Sequence, residues 1–359
     1  MTPAGNEVRP VVVIGGAGFI GSNLARSFLA DGYRVRVADN LSRAGVERNL
    51  DWLRGLGNGR LEFIAADITD GAAMREAVAG ALAVYHFAAQ TAVTTSLDDP
   101  LGDFRTNALG TLNVLEAVRS HGTDTPVIFS STNKVYGGLE ALQMRETPEG
   151  YAPADPELGA HGISEAQPLA FCTPYGCSKG VADQYVLDYA SSFGLPTAVL
   201  RMSCIYGPRQ FGTEDQGWVA HFLIRALNGE PITIYGDGQQ VRDILFVDDA
   251  VAAYRRLLAG IERLRGRAFN LGGGPANTVS INTALAEIER LTGTALEIRR
   301  GDWRQGDQYY FVADTRSLAR ETGWSPQVGW RDGLARLMDW LLEGDIVHRS
   351  APSRTRAVA

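Results

Sequence analysis

Residues 11–24 read Val11-Val12-Val13-Ile14-Gly15-Gly16-Ala17-Gly18-Phe19-Ile20-Gly21-Ser22-Asn23-Leu24. Four consecutive β-branched apolar residues predict a strand buried on both faces, as in a parallel sheet. Gly15, Gly18 and Gly21 follow at three-residue spacing, and a helical pattern runs over 20–30. Glycines at such a turn let the backbone approach a pyrophosphate, which then rests on the amide-rich start of the helix. Strand, glycine turn and helix in this order predict a dinucleotide site that uses Gly15, Gly18, Phe19, Ile20 and Gly21.

Working outward, a second strand over 34–38 ends at Asp39, 18 residues after Gly21. A carboxylate near that distance suits a ribose 2′-hydroxyl. It repels a 2′-phosphate, which favours NAD over NADP. Asn40 is assigned to the same site, and Arg43 is equally readable as a cofactor contact or a solvated loop residue. A third strand over 61–66 leads to Asp67-Ile68. Asp67 is readable either as the cap of a helix over 71–79 or as a contact to the adenine edge, with Ile68 beside it. A fourth strand over 82–87 ends in Ala88-Ala89-Gln90. Small side chains there let backbone approach the cofactor, so Ala88 and Gln90 join the site. A long helix over 99–120 is expected next, and its Asn107 is also assigned to the cofactor.

A fifth strand, 126–129, opens onto Ser130-Ser131-Thr132-Asn133-Lys134-Val135-Tyr136-Gly137. Ligands bind at the carboxyl ends of strands in open α/β sheets, so this polar cluster predicts an active-site wall. Residues 138–170 lack periodicity and carry Pro148, Pro153, Pro156 and Pro168. A loop this long predicts a lid or substrate wall. The next helix opens at Thr173, and Tyr175 and Lys179, four apart, share one face. A sixth strand over 196–201 follows, and then the regular alternation stops. The fold class expected is α/β: a Rossmann-type doubly wound parallel sheet with a smaller mixed α/β lobe. The expected boundaries are 8–200 for NAD binding, 201–345 mainly for substrate and interleaved with late strands of the sheet, and 346–359 for a disordered tail.

The chain has 359 residues, 45% hydrophobic and 21% charged, as in a globular enzyme. A formal charge of −7 argues against a nucleic-acid or anionic-membrane partner. No apolar run approaches the roughly 20 residues that span a bilayer. Met1 to Pro10 lacks a signal-peptide layout, and the unpaired cysteine usage fits a reducing cytoplasm. Cys172, Cys177 and Cys204 form no CxxC pair and read as buried or incidental thiols. The five histidines make no HxxxH pair, and no metal is expected.

GGAGFIGSNL, the Ser/Thr strand end with VYG, YGCSK, YGPRQ, and QQVRD leading to Val247-Asp248-Asp249 together resemble the extended short-chain dehydrogenases/reductases of the nucleotide-sugar epimerase/dehydratase group. The resemblance covers nearly all of Val11 to Leu342. Within the group, SSTNKVYG, PYGCSKG with ADQY, and DQGWV resemble the subfamily that inverts C2 of CDP-paratose to give CDP-tyvelose. The resemblance implies an NAD-dependent isomerase that removes and returns one hydride through a transient keto sugar. It implies Thr132, Tyr175 and Lys179 as the catalytic residues, with Lys179 also on the nicotinamide ribose. Arg242 and Arg304 match arginines that pair the substrate diphosphate. Ser131, Asn133, Gln210, Trp218 and Tyr235 are further substrate contacts implied, and Asp215, Gln216 and Gly217 could line the sugar pocket. The partner is a nucleotide-diphosphate sugar, and a homodimer through the helices near 99–120 and 175–193 is expected.

Three other reactions occur in the group, and decarboxylation of a uronic-acid sugar is the weaker rival, because that subgroup resembles Thr-Ser-Glu-Val-Tyr-Gly and this chain has no such glutamate. Related 4,6-dehydratases carry Asp-Glu directly after the threonine, where this chain has Asn133-Lys134. An amide and an ammonium cannot supply that elimination chemistry, which favours epimerisation. The 4-epimerases share the same triad, so C2 rests on the resemblance. A non-catalytic NAD-binding protein need not keep Thr132, Tyr175 and Lys179, which weighs against that reading.

Overall fold

The structure is a computed structural model and describes residues 9–344, 346 and 347. Position 8 and the tail from His348 lie outside the described residues. Strands β1 (Val11–Ile14), β2 (Val35–Asp39), β3 (Leu61–Ala65), β4 (Ala83–His86) and β5 (Val127–Thr132) form one sheet with strands Thr197–Met202 and Arg267–Leu271. Its order is 267–271, 197–202, β5, β4, β1, β2, β3. Every pairing in it is parallel.

Strand periodicity explains why β1 is apolar throughout. Val11 and Val13 enter one core cluster with Leu24, Phe28 and Tyr85, while Val12 and Ile14 enter the opposite one with Val84, Val114 and Phe129. Two helical layers therefore cover the sheet, as a parallel sheet requires. Strand order reverses between β1 and β4, so a crevice opens at the carboxyl ends of these strands.

The smaller lobe has its own core around Tyr206, Phe222, Ile232, Phe246, Ile288 and Leu337. Its strands Cys204–Tyr206, Val241–Phe246, Thr278–Ser280 and Tyr310–Phe311 form a mixed sheet, and Ile232–Tyr235 pairs Ile298–Gly301. Helices Trp218–Asn228, Ile281–Thr292 and Trp330–Glu343 pack around them.

Four expectations are corrected. The helix over 99–120 is interrupted: Pro100–Phe104 and Gly110–Ser120 flank a wide π-type turn at Arg105–Leu109. A helix at Val46–Gly57 was not expected, although Val46, Leu50 and Leu53 recur at helical spacing and are buried. Residues 138–170 are neither structureless nor part of the crevice wall. They form a hairpin, Met144–Thr147 with Gly150–Pro153, and a helix, Pro156–His161. They tie the lobe to the sheet through Ile163 beside Ala313, and through Glu165, which accepts the Asn270 amide at 2.7 Å. Finally, Ile346 and Val347, placed in the tail, pack on the small-lobe core.

Candidate active site

A cleft of about 530 Å³ occupies the crevice. Gly15, Gly18, Phe19, Ile20 and Gly21 form one wall, as their spacing predicts. Gly15 has φ +76°, and a Cβ on it would stand 2.5 Å from the Ala88 amide nitrogen. A Cβ on Gly21 would collide with the Gly15 carbonyl oxygen and lie 2.8 Å from Gly16 Cα. The turn is thus closed to any side chain, and its backbone faces the cleft.

Asp39, Asn40, Asp67, Ile68, Ala88 and Gln90 line the same cleft, and so does Arg43. The Asp39 carboxylate accepts from the Ala17 amide at 3.0 Å and the Leu41 amide at 2.9 Å. Burial raises its pKa despite these bonds. Asp67 is not the helix cap; Asp70 is, accepting from the Ala72 and Ala73 amides. Asp67 accepts from Thr69 and from the Asn40 amide at 2.7 Å. Burial alone would raise its pKa, but these bonds outweigh it and hold the carboxyl below its usual range. Asn107 is corrected: it sits behind the wall, 1% exposed. It accepts from the Gln90 amide at 2.9 Å and donates to the Gln90 carbonyl and Ser178, so it fixes the Gln90 loop from behind.

Thr132, Tyr175 and Lys179 meet at the cleft floor. β5 runs on to Thr132, three residues beyond the expected strand, and brings its hydroxyl to the Tyr175 phenol. Tyr175 stands in the first turn of the helix Thr173–Ser192, and Lys179 follows one turn on. Burial pushes Tyr175 up to about 12, against the Thr132 hydrogen bond, with the Asp103 charge adding to the rise. Burial pulls Lys179 down to about 7, against Asp183 and Asp103. Ser131 also borders the cleft, but its hydroxyl donates to Asp183 at 2.7 Å. Asp183 in turn takes both bonds of a buried Arg201 fork, at 2.9 and 2.8 Å. That network explains why a polar strand end can be buried.

Of the substrate residues implied by resemblance, Gln210 and Trp218 line the cleft, with Gln216 and Gly217. Trp218 donates its ring N–H to Cys204 Sγ at 3.4 Å. Asn133, Tyr235, Arg242 and Arg304 do not line it, because each side chain is held elsewhere. Asn133 bonds Gln308, and Arg242 bonds Asp307. The Arg304 guanidinium lies 4.0 Å from the Tyr235 ring centroid, with Glu214 and Asp215 at 3.8 and 3.7 Å. Among the lining residues with no role assigned from sequence are Cys204 and Arg209, whose guanidinium stacks 3.9 Å from the Trp52 ring. A non-glycine residue at φ +73°, as Arg209 is, leaves no sequence signal.

The closed glycine turn, the helix start behind it and a carboxylate at the end of β2 suit an NAD-sized dinucleotide. Among the described residues no group of three or more His, Cys, Asp or Glu could hold a metal, and no helix is long and apolar enough to cross a membrane.

Residues 11–272 match the NAD dependent epimerase/dehydratase family. The chain is 43% identical to the CDP-paratose 2-epimerase of Salmonella typhi, covering 92% of this chain and 98% of that one. It is 34% identical to the dTDP-glucose 4,6-dehydratase of Streptomyces griseus, covering 92% and 93%. The UDP-glucose 4-epimerase of Thermus thermophilus, solved with NAD, superposes with a TM-score of 0.77 at 32% identity, over 93% of this chain and 99% of that one. With the match running from β1 to the last strand of the sheet, the chain belongs to the NAD dependent epimerase/dehydratase family.

Proposed function

We propose that the chain is an NAD-dependent nucleotide-sugar epimerase that inverts C2 of CDP-paratose, or of a closely related sugar, to the CDP-tyvelose configuration. The observation that carries this reading is the pair after Thr132. Asn133 and Lys134 turn toward Gln308 and Asp307, so neither residue after the threonine supplies the carboxyl group that the dehydratases carry there to eliminate a hydroxyl. The identity to the 2-epimerase of Salmonella typhi supports C2.

Bound NAD supplies the hydride acceptor, later the hydride donor, and a positive ring that favours the Tyr175 phenolate. Gly15, Gly18, Phe19, Ile20, Gly21, Asp39, Asn40, Asp67, Ile68, Ala88 and Gln90 would hold it, with Lys179 on the ribose. Tyr175 takes the proton of the C2 hydroxyl as C2 loses its hydride, and Thr132 hydrogen-bonds the same oxygen. The sugar turns as a 2-ketone within the cleft, and Tyr175 returns the proton when the hydride returns to the other face. Arg242 and Arg304 are assigned to the diphosphate, because a guanidinium fork matches phosphate oxygens. They would have to release Asp307, Glu214 and Asp215 to do so.

The test is incubation with CDP-, UDP- and GDP-sugars in deuterated buffer, followed by NMR. A C2-inverted CDP-sugar without deuterium at C2 is expected. Deuterium there would sink direct hydride return, and inversion at C4 or loss of water would move the chain to the group's other reactions. No turnover of any sugar would leave a binding protein.

A second copy of the chain is the proposed assembly partner. Leu101 and Phe104 are 56% and 50% exposed, and Leu97, Leu109, Tyr185 and Phe193 are exposed with them. They lie on the segments 93–109 and 173–193, an apolar surface that suits burial in a dimer. Sedimentation of wild type and of Leu101→Glu/Phe104→Glu checks it; a monomeric wild type refutes it.

A further inference from the structure

Asn133 and Lys134 follow Thr132 directly, yet both reach to residues 306–308. Asn133 Nδ2 donates to Gln308 Oε1 at 3.1 Å, and Gln308 Nε2 donates to the Gly137 carbonyl at 2.6 Å. Lys134 Nζ donates to the Gly306 carbonyl at 3.1 Å and stands 3.6 Å from Asp307 Oδ1. The same oxygen accepts from Arg242 Nη2 at 2.7 Å. Gln308 is fully buried. Gly306 has φ +69°, and a Cβ on it would stand 2.9 Å from Thr173 Cγ2. The 302–308 segment therefore lies against the first turn of the helix that carries Tyr175. Thr132, Tyr175, Arg242 and Arg304 all sit on, or next to, elements that this segment touches.

We propose that Lys134 and Asp307 are positioning residues whose ion pair clasps the 302–308 segment to the end of β5, and so sets Arg242 and Arg304 at a fixed reach from Thr132 and Tyr175 for a nucleotide-diphosphate substrate. The inference rests on the assignment of Arg242 and Arg304 to the diphosphate. One carboxylate serves two cations here. Without Lys134, Asp307 keeps only its bond to Arg242, and without Asp307 two half-buried or buried cations face each other. A carboxylate at 134 would face Asp307 and repel it. The residue at 134 therefore decides between an elimination catalyst and an anchor, because one position cannot serve both.

The test uses the full chain as wild type, Lys134→Met, Lys134→Arg and Asp307→Asn. In ligand-free protein, hydrogen exchange of the amides of 302–309 is followed by mass spectrometry. Exchange about tenfold faster in Lys134→Met and Asp307→Asn, returning toward wild type in Lys134→Arg, is expected for loss of a charged hydrogen bond. CDP affinity by calorimetry should fall about tenfold in Lys134→Met and recover in Lys134→Arg; Asp307→Asn is read by exchange alone, because it also frees Arg242 from its carboxylate. With CDP-paratose, KM should rise while kcat stays within about threefold, the pattern of lost uniform binding. Unchanged exchange over 302–309 overturns the clasp. So does a fall in kcat at constant KM, which would put Lys134 in the chemistry. If wild type turns over no CDP-sugar, the C2-epimerase reading fails, while exchange and CDP affinity still decide the clasp. If Lys134→Met does not fold, Asp307→Asn and Lys134→Arg decide the clasp in its place.

Discussion

The Lys179 ammonium donates to the backbone carbonyl of Ser130 at 2.7 Å, and its Nζ lies 4.1 Å from the Phe129 ring centroid. This bond ties the helix that carries Tyr175 to the strand that carries Thr132. It also buries the amine almost completely, since Lys179 is 3% exposed.

That burial has a pH signature. Lys179 titrates near 7 in the folded protein, against roughly 10.4 in an unfolded chain. Between these values the unfolded state binds a proton that the folded state does not, so stability from this group rises with pH across the window and is lost as pH falls toward 7. Ligand-free wild type should gain about 1.4 kcal/mol per pH unit relative to Lys179→Met between pH 7 and 9. Chemical denaturation of both proteins across that range checks it; a flat difference refutes it.

Tyr175→Phe keeps the ring in its buried place and removes the group assigned to proton transfer. Epimerase kcat should fall about 10²–10⁴-fold, with NAD affinity little changed. Steady-state rates and a cofactor titration separate the two effects, and full activity would remove Tyr175 from the mechanism.

Gly21→Ala places a methyl against the Gly15 carbonyl oxygen and Gly16 Cα. The turn has to shift, at a cost of about 1–3 kcal/mol, and its backbone then no longer presents the same surface. A lower midpoint in urea together with weakened NAD binding is expected; unchanged binding would mean the turn does not contact the cofactor.

Asp39→Ala removes the carboxylate at the end of β2. Affinity for NAD should drop while affinity for NADP rises relative to it, because the repulsion of a 2′-phosphate goes with the charge. Titration with both cofactors measures the ratio, and an unchanged ratio would relocate the ribose.

Asp183→Ala leaves the Arg201 guanidinium buried without its fork and the Ser131 hydroxyl without its acceptor. Loss of one partner of such a pair costs about 3–5 kcal/mol. Equilibrium unfolding gives the value, and a cost below about 1 kcal/mol would mean that water replaces the carboxylate.

The sequence alone determined the sheet and the glycine-turn end of the cleft. β-branched runs, a glycine turn and Asp39 are local signals, and the backbone geometry they require is settled within a few residues. Thr132, Tyr175 and Lys179 were legible for a related reason: they stand at a strand end and one helical turn apart, so local periodicity brings them near the crevice. Direction across the molecule was not legible. Asn133 and Lys134 look like cleft residues in the chain, but Gln308 and Asp307, more than 170 residues away, draw them out of it. Asn107 reads as a cofactor contact, yet the wide turn at 105–109 directs its amide to the back of the Gln90 loop. The hairpin in 138–170 reads as a lid, and only its pairing with the small lobe makes it a strap. In each case the deciding partner is distant in sequence. A buried polar group takes whichever partner the fold brings within reach, and only the tertiary structure decides which one that is.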